Sequence, residues 1–398
     1  MLVQTASPQT SHTRPLVAVA ESYAEEITAR ADEIEALRKL PQDLADRLAA
    51  DRLYNVCNPA DFGGPDGTPR TYAEVVETLA RADASEGWCS FIGTTSAFSI
   101  ASANTDATRA LLRERGVATA GVFAPSGRAR AVVRDGVAGY FATGRWAWGS
   151  GSQNARWISG GCLLVGEDGA NLKDERGAPC NVAMIFRAED VEFLDTWNVM
   201  GLQGTGSTDF QVTEVFVPDD RTIDRFGHGA ADDPIFRFPA FGMLAIGVGA
   251  VALGAARGAM EDFDAFAGKK VPQGASRPLA DKPATQKDVA KAEAAIRSGR
   301  AFFYEAIDVA WAGALADEVT VEHRRDLRLA ITHAVASAKT AVDLIHELAG
   351  GTSVYRHSPI QRRFRDIHVM TQHMMVNQST YETVGRLLLG LKTDIDQF

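Results

Sequence analysis

Apolar positions recur at spacings of three and four through residues 20–37, 41–50, 72–81, 87–103 and 106–115, a pattern that predicts amphipathic helices. At about Ala118 the period changes. Residues 120–150 mix β-branched and aromatic side chains with small ones, and Arg134, Asp135 and Gly136 form a hairpin signal within them. Further strands are predicted over 156–165, 180–187, 191–195 and 207–218, which together make an antiparallel β domain. A loop rich in Asp, Gly and Pro follows at 219–239. The helical period then returns over 241–266, 282–315, 321–348 and 359–392, and four long helices with short connections imply a bundle. The fold class is therefore mainly α with a central β domain. Its expected layout is a flexible tail at 1–15, an N-terminal helical domain at 16–117, the β domain at 118–228 and a four-helix bundle at 229–398.

Composition narrows the function without naming it. The apolar share of 45% and charged share of 23% suit an ordinary soluble protein. A net charge of −10 argues against a nucleic-acid binder, which would carry a basic face. Cys57, Cys89, Cys162 and Cys180 are scattered without metal-ligand or disulfide spacing, so no metal is expected and a reducing cytoplasm fits. The N-terminal residues lack the basic start and apolar run of a secretory signal. Residues 238–256 carry no charge and approach the length of a bilayer span, yet Gly242, Gly247, Gly249 and Gly254 punctuate them. That spacing predicts a tightly packed central helix and no membrane association.

Chemistry concentrates near the C-terminus. Gly350 and Gly351 close a helical pattern and open the backbone to close approach. After Ser358 and Pro359 start another helix come Arg362, Arg363, Arg365 and Asp366, then His368 and His373. Residues five apart on one helix point about 140° from each other, so one of the two imidazoles is expected to be structural. The glycines at 201, 204 and 206 have the spacing G-x-x-G-x-G and lead into a strand, so they are not a dinucleotide fingerprint.

Taken together, Phe62-Gly63-Gly64, the run from Gly144 to Ser152, the run from Gly201 to Ser207, and Ala349-Gly350-Gly351 followed by Arg365-Asp366 resemble the acyl-CoA dehydrogenase fold over nearly the whole chain. Residues 123–129 and 365–373 are more similar to the flavin-dependent monooxygenases of two-component systems. One departure favours that branch: where the dehydrogenases keep a glutamate, this chain has Gln372, His373, Met374 and Met375, or Phe241 and Gly242.

The resemblance implies reduced FMN or FAD as cofactor, O2 as co-substrate, an aromatic or heteroaromatic small molecule as substrate, a separate NAD(P)H flavin reductase and a homotetramer. It places Ser150 at flavin N5, with Trp148, Ser152, Thr205 and Ser207 near the ring. The phosphate falls to Arg277, Gly350 and Gly351 across a subunit boundary, with Arg362 and Arg363 as weaker candidates. His373 matches the catalytic position and His368 is its runner-up. Trp148 packs on the flavin or lies in the core. Asn377 is spaced to orient His373. Substrate contacts are expected from 88–98, from the loop 219–238 and from the last helix. The rival reading, an acyl-thioester dehydrogenase with a displaced base, would use Glu382.

Overall fold

The computed structural model describes residues 13–224, 233–395 and 398. Seven helices come first: α1 Thr13–Ser22, α2 Ala24–Ala29, α3 Ala31–Leu37, α4 Gln42–Ala50, α5 Pro69–Ala82, α6 Ala84–Ser102 and α7 Asp106–Arg113. Their starts are written in side chains. Thr68 accepts from the Thr71 N–H with Pro69 at the first position of α5, and Asp83 accepts from the Ser85 and Glu86 N–H groups at the start of α6. The single helix expected over 20–37 is in fact three pieces. The Tyr23 N–H turns tightly onto Ala20 O, and the Arg30 N–H is shared between Glu26 O and Ile27 O. Residues 1–12 of the expected tail lie outside the described residues, and 13–15 are already helical.

The β domain is one seven-stranded sheet built from β1 Thr119–Arg134, β2 Val137–Trp146, β3 Trp157–Val165, β4 Asn181–Arg187, β5 Glu192–Leu194, β6 Asp209–Pro218 and β7 Thr222–Asp224, in the order β5-β6-β2-β1-β3-β4-β7. The hairpin signal is real: Asp135 and Gly136 hold φ 52 and 80 between paired Arg134 and Val137. The expectation of a wholly antiparallel sheet needs correction, because β1 and β3 run parallel. After β2 the chain does not take the open edge of β2, which β6 fills later. It crosses the end of the sheet through residues 147–156 and re-enters on the far side of β1. That crossing carries Trp148, Ser150 and Ser152.

The C-terminal part contains α8 Ala240–Ala267, α9 Pro283–Leu315, α10 Val321–Ala349, α11 Pro359–Met370 and α12 Ser379–Leu388. Of the apolar window that makes α8 long enough to cross a membrane, 78% is buried inside the protein. Its small residues let α5 come close, since a Cβ on Gly254 would stand 2.3 Å from Glu77 O. The fourth bundle helix is broken, which corrects the expectation of one helix over 359–392. At the break a short 3₁₀ turn, Met374–Val376, has His373 at its N-cap and Asn377 at its C-cap. His368 and His373 therefore do not share a helix.

Candidate functional site

The crossing loop is pinned by its own backbone. Gly149 N–H donates to Thr208 O at 3.0 Å and Gly151 N–H to Thr205 O at 2.8 Å, so residues 149–151 lie against residues 205–208. This brings three hydroxyls into one buried row. Ser150 Oγ is 2.6 Å from Ser207 Oγ, and Ser207 Oγ is 2.5 Å from Thr205 Oγ1. Thr205 Oγ1 donates to Leu202 O at 2.8 Å, and from α6 the Trp88 indole N–H donates to Ser150 Oγ at 3.1 Å. Ser152 is buried too, but its hydroxyl is spent on Gly149 O at 2.6 Å and braces the turn.

His373 joins the same group through Trp88, whose ring meets the imidazole edge-on at a centroid distance of 5.6 Å. Its Nδ1 accepts from the Met375 N–H at 3.3 Å. In the neutral ring the proton is then on Nε2, which becomes a donor. Burial, and after it the charge of Arg328, pull the imidazole down to about 4 from 6.5, so it is uncharged near neutral pH. Asn377 does not orient it: its Oδ1 accepts from the Ser379 N–H at 3.1 Å. His368 lies elsewhere, with Nε2 2.9 Å from Asp343 and its ring against Phe364. Of the two imidazoles, His373 is the one that meets the Ser150 cluster through Trp88.

Trp148, two residues before Ser150, has φ 62 and is 75% exposed, which excludes a core role within one subunit. The arginines are already employed. Arg363 caps the end of α5 through Ala80 O, Arg81 O and Ala82 O and pairs with Asp262 at 3.2 Å. Arg362 pairs with Glu35 and Asp32, and Arg365 with Glu35. Arg362 and Arg363 are thus scaffold, contrary to the phosphate expectation. Gly350, with φ 55, and Gly351 are exposed, and a Cβ on either would meet nothing within 4 Å. Lys270 Nζ donates to Ala349 O at 2.6 Å and to Thr352 Oγ1, which ties the segment bearing Arg277 to this open turn. Arg277 itself is exposed.

Several contributors escape the sequence reading. Trp88 falls within the expected lining segment 88–98, but no sequence signal marks its bond to Ser150. Arg328 is 4% exposed and donates from Nη2 to Met375 O at 2.9 Å, bracing the turn that holds His373. A signal existed: Arg328 opens the buried stripe of Ile331, Val335, Ala338, Val342 and Ile345 on α10. Asp366 is buried and accepts from the Leu202 N–H at 2.6 Å, fastening the 201–206 loop to α11. Glu86 is fully buried against Tyr54 OH at 3.1 Å. Glu382 is exposed on α12, so it offers no displaced base. Of the expected substrate contacts, residues 225–232 lie outside the described residues.

A buried hydroxyl row beside an open indole face suits the edge of a flavin ring, and the separate turn at Gly350 and Gly351 is unobstructed. Comparison with known proteins agrees. Residues 11–112 match the model for the acyl-CoA dehydrogenase N-terminal domain and residues 246–378 that for the C-terminal domain. An indole-3-acetate monooxygenase of Pseudomonas putida is 34% identical over 365 residues, covering 91% of this chain and 90% of the relative. An FADH(2)-dependent resorcinol hydroxylase, oxygenase component, from a Rhizobium species is 28% identical and covers 97% of each chain. The crystal structure of a 3-HSA hydroxylase from Rhodococcus sp. RHA1 superposes with a TM-score of 0.85 at 26% identity, over 98% of this chain and 100% of that one.

Proposed function

The chain belongs to the acyl-CoA dehydrogenase family, in its flavin-dependent monooxygenase branch, and on that footing we propose that it hydroxylates an aromatic or heteroaromatic small molecule with reduced flavin and O2. It would take the flavin, FMN or FAD, from a separate NAD(P)H-dependent reductase and work in the cytoplasm as a homotetramer. The bound flavin supplies the activation of O2. Ser150 holds the N5 edge and Trp148 offers an open ring face. Arg277 and the Gly350–Gly351 amides receive the phosphate, across a subunit boundary as the family resemblance implies.

The observation that carries the reading is the buried imidazole of His373, edge-on to Trp88 and with Nδ1 accepting from the Met375 N–H, in the region where a thioester dehydrogenase needs a carboxylate. With Nδ1 occupied by the Met375 N–H, the ring donates a hydrogen bond from Nε2 and is poorly placed to strip a proton from a phenol. Its role is therefore to hold a proton close to the reacting oxygen and to orient the substrate. The aromatic wall of Trp88 and Phe91, 4.9 Å apart between centroids, helps keep water out.

The deciding test is an anaerobic titration followed by admission of oxygen. Protein loaded with reduced FMN or FAD and mixed with phenolic and indolic acids should yield hydroxylated product only after O2 is added. Bleaching of oxidised flavin by an acyl-CoA without O2 would sink the proposal.

A further inference from the structure

The row of hydroxyls has two ends that cannot reverse their roles. Trp88 Nε1–H is only a donor, and Leu202 O is only an acceptor. Each hydroxyl between them owns one proton. While Thr205 gives its proton to Leu202 O, the 2.5 Å contact to Ser207 is donated by Ser207. Ser207 has then nothing left for Ser150, and the 2.6 Å contact between them must be donated by Ser150. Ser150 also accepts the Trp88 N–H. What remains on its oxygen is one lone pair and no proton.

We propose that Thr205 and Ser207 are positioning residues that turn Ser150 into a hydrogen-bond acceptor and so make the site select reduced flavin over oxidised flavin. This rests on the flavin reading above and on Ser150 lying at N5. Reduced flavin carries a hydrogen on N5, which the free lone pair accepts. Oxidised flavin has a bare N5, and two lone pairs would then face each other. The row can reverse, with Thr205 donating to Ser207 and Ser207 to Ser150, but Leu202 O then loses its closest donor and keeps only Trp197 Nε1 at 3.1 Å and Thr205 N at 3.2 Å. Those two donors still fill the two lone pairs of the carbonyl, so the difference is at most one hydrogen bond, a preference of up to about tenfold. All three side chains are buried, at 6%, 1% and 3% exposure for Ser150, Thr205 and Ser207, so water is poorly placed to substitute.

The test is the ratio of dissociation constants for oxidised and reduced FMN and FAD, measured anaerobically by fluorescence, alongside the midpoint potential of the bound flavin. Wild-type protein should favour the reduced form. Thr205→Val keeps the shape but frees the Ser207 proton, and should shrink the ratio by about tenfold while making the potential more negative. Thr205→Ser should restore both. Ser207→Ala releases the Ser150 proton directly and should act like Thr205→Val, which covers the case in which the valine variant does not fold. An unchanged ratio in both disruptive variants, or affinities for the two forms that fall in parallel, would overturn the inference and leave the flavin reading intact. Wild-type protein that binds neither flavin would overturn both.

Discussion

His373 is an imidazole whose proton position is set by a neighbour. Because burial first and Arg328 second hold it down to about 4, it stays uncharged across the range in which a free imidazole titrates. Turnover through this residue should therefore be flat from about pH 6 to about pH 8, without an acid limb at 6.5. His373→Ala should still bind flavin but lose hydroxylation by roughly 10²-fold or more, read as product against hydrogen peroxide released. Unchanged product would remove His373 from the chemistry. Glu86 shows the opposite sign. Burial pushes its carboxyl up to about 8 from 4.5, so the unfolded chain loses a proton that the folded one keeps, and stability falls as pH rises from about 4.5 to about 8. Glu86→Gln should flatten that slope, gaining up to roughly 4 kcal/mol at pH 8 and little at pH 4.5, as urea unfolding at both values would report.

Between elements, the contact between the 201–206 loop and α11 governs whether the hydroxyl row forms. A Cβ on Gly201 would sit 2.5 Å from the backbone C and O of Arg365, so Gly201→Ala must push loop and helix apart at a cost of about 1–3 kcal/mol. Asp366 accepts from Leu202 in either protonation state. Asp366→Asn should be nearly silent, while Asp366→Ala should cost about 1–3 kcal/mol and weaken flavin binding. Equal behaviour of the two in thermal melts would argue that the bond does not hold the loop. This pairing also explains what the sequence could reveal. Asp135 with Gly136 announces its hairpin because one φ decides it, whereas Thr68 and Asp83 cap helices that start at Pro69 and Ala84, three residues before the starts expected from apolar spacing alone. The break after Met370 carries no Gly or Pro. It is made by His373 accepting from Met375 and Asn377 accepting from Ser379, polar side chains offering the backbone partners other than the helix. Ser150, Ser207 and His373 were named from resemblance, yet the indole that joins them sits on α6, more than 50 residues before Ser150, and no spacing rule links the two. The parallel pairing of β1 with β3 was equally out of reach, since a side-chain pattern records which face is buried and not which neighbour lies beside it.

For the molecule as a whole, Trp148 at 75% exposure, Val354 at 72% and Leu389 at 77% are apolar side chains that the proposed tetramer would be expected to cover. If Arg277 and the Gly350 turn together take the phosphate of a flavin whose ring lies in a neighbouring subunit, Arg277→Ala should weaken flavin binding about tenfold with no change in the melting of the flavin-free protein. Light scattering should find four copies. Single subunits that bind flavin with full affinity would refute the shared arrangement. The seat of Gly201 on Arg365 and Asp366 bears on any attempt to change what the enzyme accepts by borrowing parts from its relatives. The glycine loop and the helix opposite it behave as one cassette, and a transplant that moves either half without the other should arrive with its hydroxyls out of line.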